Sequence, residues 1–311
     1  MKKLAIYFSS PGVMDYPFTK SVFFESYCEI IDHLERQGIE VAVVRGNSYQ
    51  KKGQWQPWFK KVGVEFLKQN TVFKSDLIWN KDDLNTFPVV RDCPVLNDVD
   101  FDEICRDKLK SSEFFGDISG KTFLLNSFED YKKYVSELSS KKIVLKPRFG
   151  ERAEGVFVLD RESVQPNLYE SWKDILLQEF LDSSLGIPGM VEGIHEIQVF
   201  MVNGRFAGAR IKDYPEGVYV ASVTGKGVLA TIFSVTRENL PAELWEIVQV
   251  LEEKVAKFNP RLYRADFVRT PKGYRMIEIN SRPGIGHPEK DGPDYWFFNG
   301  KIVDVFCEFL K

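Results

Sequence analysis

The first part of the chain carries apolar residues in three runs whose spacing is typical of a strand, a helix and a second strand. The runs Lys3–Ser9 and Ile39–Arg45 are short and mostly apolar, as buried strands are. Between them, apolar residues recur at helical spacing over Ser21–Gln37, and Gly38 follows where a glycine commonly ends a helix. This order predicts a βαβ unit on a parallel sheet.

The rest of the chain alternates between strand and helix periods without internal repeats. We predict strands over Ser75–Asn80, Gly120–Ser127, Lys141–Pro147, Ile175–Leu181, Glu196–Val202, Arg205–Lys212 and Val218–Ser222. We predict helices over Asp100–Phe115, Phe128–Leu138, Leu240–Phe258 and Ile302–Leu310. Pro88–Leu96 is expected to be extended. Gly46–Val72 has no clear period, and we expect its aromatic side chains to pack on the sheet rather than to line an exposed surface.

A hairpin is predicted near the carboxyl end of the chain. The strand-like runs Tyr263–Arg269 and Tyr274–Asn280 flank Pro271-Lys272-Gly273, which suits a three-residue loop with Gly273 in a left-handed conformation. If Thr270 faces Tyr274, the register of the whole hairpin follows.

That register places polar and apolar residues on opposite faces of the hairpin. It sets Asp266 opposite Glu278 and Arg264 opposite Asn280, all on one face, because side chains alternate along a strand. The core face then carries Ala265, Phe267, Ile277 and Ile279.

Two facing carboxylates repel unless a cation lies between them. Carboxylate and amide oxygens suit Mg²⁺, which in proteins usually also binds nucleotide phosphates. The alternative is a solvated polar face on which the acids pair with Arg264 and Arg275.

Composition and charge exclude several classes of protein. The 311 residues carry a formal net charge of −3 with Lys and Arg spread along the chain, so no surface for nucleic acid is indicated. No apolar run approaches membrane-spanning length, and the apolar run at the start is too short for a signal peptide, so the cytoplasm is the expected location. The four cysteines lack the spacing of metal or redox sites and are expected to be free thiols.

Three other groups of residues are candidates for nucleotide binding. Lys146 ends an apolar strand before a loop bounded by Gly150 and Gly155, where it could neutralise phosphates or simply be a surface lysine. Adenine could lie along the strand edge formed by Gln178, Glu179, Phe180 and Leu181. Arg210 and Lys212 project from the same face of one strand, either to stabilise a transferring phosphoryl group or as a solvated face.

In order along the chain, KIVLKPRFGERAEGVFVL, LLQEFLD, GIHEIQVFMVNGRFAGARIK and LYRADFVRTPKGYRMIEINSRPG resemble the ATP-grasp superfamily. They are most similar to its glutathione-synthetase-like and ribosomal-protein-modifying carboxylate–amine ligases. The resemblance spans about Asn97 to Gly284. It implies an α/β and α+β fold with a preATP-grasp domain over 1–98, a central subdomain over 99–185 and a carboxy-terminal subdomain over 186–311, with ATP between the last two.

The resemblance also implies roles for individual residues. Lys108 and Lys146 match the two phosphate-binding lysines, Glu179 and Leu181 the adenine-binding hinge, and Glu196 the acid that binds ribose. The Mg²⁺ ligands correspond to Asp266, Glu278 and Asn280. Arg264 matches the arginine beside the transferred phosphoryl group, and Gly284 matches the backbone donor near the tetrahedral intermediate.

Arg282 follows the last predicted metal ligand and could hold the substrate carboxylate through two hydrogen bonds, or form a structural ion pair.

Three departures from the family lie mostly on the acceptor side. The segment Glu151-Arg152-Ala153-Glu154 stands where relatives have a glycine-rich loop. His195-Glu196-Ile197-Gln198 lacks the arginine that ends this motif in close relatives, and Ser222 with Gly225-Lys226-Gly227 replaces an Asn and a Gly-Gly pair.

The resemblance therefore implies an ATP-dependent carboxylate–amine ligase that works through an acyl phosphate. Its expected cofactors are ATP and Mg²⁺, with two ions expected and Mn²⁺ as an alternative. Its expected partners are a small-molecule carboxylate and an amine, either amino acids or peptides, without nucleic acid or membrane. A homo-oligomer stays open, as do a small-molecule kinase and a nucleotide-binding regulator without turnover.

Overall fold

The computed structural model describes residues 1–82, 90–150, 154–219, 230–292 and 295–310. The loop residues 151–153, the replaced turn at 225–227 and most of the predicted strand Val218–Ser222 lie outside these ranges, as does the first part of the extended segment Pro88–Leu96.

The amino-terminal elements are β1 Lys2–Phe8, α1 Ser21–Arg36, β2 Ile39–Arg45, β3 Gln54–Trp55, β4 Trp58–Val62, β5 Glu65–Gln69, β6 Phe73–Lys74, β7 Leu77–Asn80 and β8 Val95–Leu96. Six of the strands form one mixed sheet in the order β5-β4-β2-β1-β7-β8, and β3 pairs with β6 in a separate two-stranded sheet. β1 runs parallel to both β2 and β7, which confirms the predicted βαβ unit. The segment without a clear period forms β3 to β5, and its Trp55 and Trp58 are buried against the sheet as expected.

The middle of the chain forms an antiparallel sheet of four strands in the order β11-β10-β12-β9. Its elements are α2 Val99–Arg106, α3 Lys108–Phe114, β9 Thr122–Leu125, α4 Phe128–Val135, β10 Lys142–Pro147, β11 Phe157–Asp160 and β12 Ile175–Glu179.

The prediction of a single helix over Asp100–Phe115 is wrong, because the helix is interrupted at Asp107. The backbone of Asp107 is extended, with φ −88° and ψ 101°, and its side chain accepts hydrogen bonds from the N–H groups of Leu109 and Lys110. Aspartate competes well for this capping position, so one apolar stripe is divided between two helices. As a result Lys108 is the first residue of α3.

The last part of the chain forms an antiparallel sheet of five strands in the order β15-β14-β13-β16-β17. Its elements are β13 His195–Val202, β14 Arg205–Asp213, β15 Thr231–Val235, α5 Ala242–Val255, β16 Leu262–Thr270, β17 Gly273–Asn280, α6 Pro288–Asp291 and α7 Tyr295–Leu310. α5 packs on the apolar face of this sheet. α7 begins earlier than predicted and packs in the core of the first sheet, where Phe306 contacts Trp79.

The hairpin β16–β17 has the predicted pairing at its polar end but not at its loop. Asp266 lies opposite Glu278, whereas Thr270 lies opposite Gly273 rather than Tyr274. A bulge after Asp266 absorbs this difference of one residue. The prediction that Ile277 lies on the core face is therefore wrong. Ile277 lines the polar side, and Met276 is buried in its place.

None of the helices in the described ranges is both long and apolar enough to cross a membrane.

Candidate active site

A cleft of about 500 Å³ lies between the four-stranded and five-stranded sheets. The predicted nucleotide, metal and catalytic residues that line it are Lys108, Lys146, Gln178, Glu179, Phe180, Leu181, Glu196, Lys212, Arg264, Asp266, Glu278, Asn280 and Arg282. Two predicted residues, Arg210 and Gly284, do not line it. Residues far apart in the sequence thus share one concave surface.

Lys146 is held rigidly on the four-stranded sheet. It is buried, and its Nζ donates to Gln178 Oε1 at 2.8 Å, while Gln178 Nε2 donates to Thr122 Oγ1 at 3.0 Å. Burial lowers the pKa of Lys146 to about 8; Glu278 opposes this shift and Lys108 adds to it. A buried ammonium is stabilised when a negatively charged group binds next to it.

Lys108 reaches the same cleft from the start of α3. Its Nζ donates to the Gly150 carbonyl at 2.6 Å. The helix is fastened to the end of β10 by Arg148, whose Nε and Nη2 donate to the two carboxylate oxygens of Asp107 at 2.8 and 2.6 Å. Sequence reasoning missed this pair, although the residues adjoin the two predicted lysines. The pair links the two phosphate-binding candidates into one unit.

Glu196 lies at the centre of a hydrogen-bond network on the five-stranded sheet. It accepts hydrogen bonds from Lys212 Nζ at 2.6 Å, Gln198 Nε2 at 2.8 Å and the Tyr214 hydroxyl at 3.1 Å. Burial alone would raise the pKa of Glu196, but the Lys212 ammonium outweighs it and the pKa is lowered. Glu196 is therefore a carboxylate, and Lys212 is paired with it in this structure.

The polar end of the hairpin carries one buried acid and one exposed acid. Asp266 is 5% exposed and receives Arg264 Nε and Nη2 at 2.6 and 2.8 Å. Glu278 is exposed to the cleft, and its side chain makes no hydrogen bond or ion pair with a described residue. Burial raises the pKa of Asp266, and the Arg264 guanidinium offsets this only in part because Glu196 and Glu278 add negative charge.

The donor set fits a hard divalent cation. Asp266, Glu278 and Asn280 offer carboxylate and amide oxygens on one face, and Asn280 Oδ1 is oriented by a hydrogen bond from the Arg282 N–H at 2.8 Å. Within the described ranges, no group of three or more His, Cys, Asp or Glu side chains is arranged to hold a metal. A cation here would thus need oxygen ligands from water or phosphate as well, which is the usual situation of Mg²⁺.

The other predicted residues occupy three different places. Arg210 is buried, forms an ion pair with Asp291 of α6 and lies 4.9 Å from the Phe200 ring centroid, in a second cavity of about 880 Å³. Arg282 donates from Nη1 to the carbonyl of Asp82, which lies just after β7 of the six-stranded sheet. Gly284 is exposed, and a Cβ there would meet no atom within 4 Å.

Comparison with known proteins gives a likeness in structure only. No family model matches the sequence, and a comparison with curated proteins found no match. VanG D-Ala:D-Ser ligase from Enterococcus faecalis shares 14% identity over 98% of this chain and 99% of that chain, with a TM-score of 0.65. D-alanyl-alanine synthetase A from Vibrio cholerae shares 16% identity over 98% and 97%, with a TM-score of 0.61. The ATP-grasp ligase PsnB, solved with Mg, ADP and a variant of its minimal precursor, shares 11% identity over 99% and 98%, with a TM-score of 0.62.

Proposed function

Because this chain has the ATP-grasp fold, we propose that it is an ATP-dependent ligase that joins a carboxylate to an amine and releases ADP and phosphate. In this proposal the units are 1–98, 99–185 and 186–311, and ATP binds in the 500 Å³ cleft. The observation that carries it is the placement of Lys108 and Lys146 across this cleft from Asp266 and Glu278 of the hairpin β16–β17. Two cations facing a cation-binding set of acids suit a metal-bound polyphosphate.

The nucleotide is proposed to lie along β12 and β13. β12 ends at Glu179, which leaves the backbone of Phe180 and Leu181 outside the strand ladder at the wall of the cleft, where it can pair with adenine. Glu196 is a half-buried carboxylate and suits the ribose hydroxyls. Lys108 and Lys146 then meet the phosphates.

Asp266, Glu278 and Asn280 are proposed to hold Mg²⁺, as two ions or with Mn²⁺ in its place. When bound, the ion would neutralise phosphate oxygens and polarise the γ-phosphate. PsnB was solved with Mg and ADP, which supports this assignment. A cation would also remove the repulsion between the facing acids.

The proposed chemistry needs only positioning and charge stabilisation by the protein. The substrate carboxylate attacks the γ-phosphorus, ADP leaves, and an amine attacks the resulting acyl phosphate, from which phosphate departs. Arg264, beside Asp266, is placed to offset charge on the transferring group, and Gly284 would donate its N–H to the developing oxyanion. Arg210 and Lys212 are both ion-paired, so we propose that they act only after their pairs rearrange.

Phosphate release from Mg-ATP, screened against pairs of amino acids, short peptides and small carboxylates, tests this proposal. We expect phosphate together with a product whose mass equals the two substrates minus water. A phosphorylated hydroxyl compound without an amide would show a kinase instead. Tight Mg-ATP binding without turnover in any well would favour a regulator.

The metal assignment is tested by Glu278→Gln, which keeps the shape but removes a charged ligand. We expect turnover to fall at least 100-fold, because an amide binds Mg²⁺ much more weakly than a carboxylate. Glu246→Gln, an exposed change on α5, is the matched control. Turnover in Glu278→Gln equal to that of the control would remove Glu278 from the metal site.

A further inference from the structure

The carboxyl ends of β1 and β7 meet the end of β17 at a place that the proposed chemistry leaves unassigned. Lys81 directly follows β7, and its Nζ donates to the Pro283 carbonyl at 3.0 Å. Ser9 follows β1, and both its N–H and its hydroxyl donate to Asp82 Oδ2 at 2.6 Å. Ligands of open α/β sheets bind at the carboxyl ends of parallel strands.

Two cations lie here that form no ion pair within the described part of the chain. Lys81 donates to the Pro283 carbonyl and Arg282 to the Asp82 carbonyl, and neither side chain forms an ion pair with any described residue. Burial and the nearby Arg282 guanidinium lower the pKa of Lys81 to about 7. Holding two cations this close is unfavourable until an anion joins them.

Asp102 is a buried acid that faces this pair. Asp102 is 1% exposed, and the Ser281 side chain lies beside its carboxylate. Burial raises its pKa to about 6, although Arg282 and Lys81 both act to lower it. Asp82 contributes a second carboxylate, but its Oδ2 already accepts hydrogen bonds from the N–H and the hydroxyl of Ser9.

A buried amide donor completes the arrangement. Asn80, the last residue of β7, is 1% exposed and its Oδ1 accepts from the Asp82 N–H at 3.0 Å. Its Nδ2 has no acceptor among the described residues. An unpaired buried donor of this kind costs free energy that a bound acceptor restores.

We propose that Lys81 and Arg282, with Asn80 Nδ2, bind the carboxylate of the acid substrate between the end of β7 and the end of β17. This inference rests on the proposed ligase function. An anion at this place lies next to Gly284 and to the metal ligand Asn280. The nucleotide phosphates have their own cations, Lys108 and Lys146, on the other sheet.

Once an active substrate pair is known, Lys81→Met tests the assignment. We expect the KM for the acid to rise about 10- to 100-fold, the worth of a charge-assisted hydrogen bond, while the KM for Mg-ATP stays within about twofold. Lys81→Arg should recover part of the loss. Lys68→Met, an exposed lysine on β5, is the matched control. Equal effects of Lys81→Met and Lys68→Met, or an equal rise in the KM for Mg-ATP, would overturn the inference while leaving the ligase proposal intact.

A second measurement does not need turnover. Acetic anhydride is applied to the full chain with Mg and a non-hydrolysable ATP analogue, and acetylation of each lysine is followed by mass spectrometry. We expect succinate, compared with chloride at equal ionic strength, to slow acetylation of Lys81 but not of Lys68, and Arg282→Met to abolish this protection. Protection without any ligase activity would leave the anion site standing and the proposed function refuted. Absence of protection would refute the anion site.

Discussion

The two lysines that face the proposed phosphates are held in different ways. Lys146 is buried on a strand and bonded to a side-chain amide, whereas Lys108 lies at a helix start and bonds to a loop carbonyl. Burial lowers the pKa of Lys146 to about 8. Its charge is therefore sensitive to pH in a range where ordinary lysines stay protonated.

This difference predicts a pH dependence of nucleotide binding. Below pH 8 Lys146 is charged and attracts phosphate; above pH 8 it loses its proton, and binding must then include uptake of a proton. We expect the Kd of Mg-ADP, measured by calorimetry between pH 7 and 9.5, to rise about tenfold per unit once the pH exceeds about 8.

Lys146→Arg is the control, because arginine keeps its charge throughout this range. Its affinity should change little with pH. The same decline in the arginine variant would assign the effect to another group.

At the scale of single residues, it was easier to predict which side chains belong to the candidate site than to predict which side chains contact each other. Strand alternation alone places Glu278 and Asn280 on one face, and the predicted register of the hairpin adds Asp266 to that face. The pair of Asp107 and Arg148 joins residues 41 positions apart, and no local pattern indicates such a contact. The site residues themselves remain predictions until variants are measured.

Among the elements, the hairpin β16–β17 is bonded to a buried amide that lies outside it, the side chain of Asn97. Asn97 is 2% exposed, donates from Nδ2 to the carbonyls of Leu262 and Ser281, and accepts from the Leu262 N–H at 2.6 Å. These contacts tie the start of β16 and the end of β17 to the segment that leaves the first sheet. Asn97 thus positions the strands that carry the proposed metal ligands.

We predict that Asn97→Ala lowers the free energy of unfolding by about 3 kcal/mol, since it leaves buried backbone groups of β16 without partners. Urea unfolding measures this change. Asn70→Ala is the control because Asn70 is exposed and only its backbone carbonyl is bonded. A loss below about 1 kcal/mol would mean that water replaces the amide.

The elements also show where periodicity stops being informative. The apolar stripe over α2 and α3 is continuous, yet a capping aspartate divides it. The register of the hairpin was correct at its polar end only because a shorter loop and a bulge compensate each other. Neither the cap nor the bulge changes the spacing of apolar residues enough to be seen in the sequence. Short strands such as β11 and β15 were also missed, because the spacing of apolar residues over so few positions does not show them.

For the whole molecule, four ordered motifs predicted the fold correctly, and structural likeness over nearly the full chain confirms the α/β and α+β architecture. The course of the last helix could not be predicted this way. α7 follows the five-stranded sheet in sequence but packs against the first sheet, with Phe298, Ile302 and Phe306 in that core. Amphipathic spacing shows that a helix has an apolar face, not which sheet will cover it.

This packing predicts a large cost for a change near the carboxyl end. Phe306 is 0% exposed and contacts Trp79 of β7 with ring centroids 5.1 Å apart. We expect Phe306→Ala to lower the free energy of unfolding by about 3–5 kcal/mol, because it leaves a cavity in the core. Denaturant unfolding followed by Trp fluorescence measures this loss.

Phe309→Ala serves as the comparison, since Phe309 lies on the same helix but is 37% exposed. Its cost should stay near 1 kcal/mol or below. Similar costs for both variants would show that α7 is not part of the first core.

The return of α7 to the first sheet also has a consequence for synthesis. A ribosome makes β1 and β2 first, but the side chains that complete their core belong to residues 295–310. The amino-terminal sheet must therefore wait, with part of its apolar surface uncovered, until residues 295–310 have emerged. Domains that fold as units from the amino terminus escape this interval. Here the nascent chain would present a hydrophobic surface on which chaperones can act.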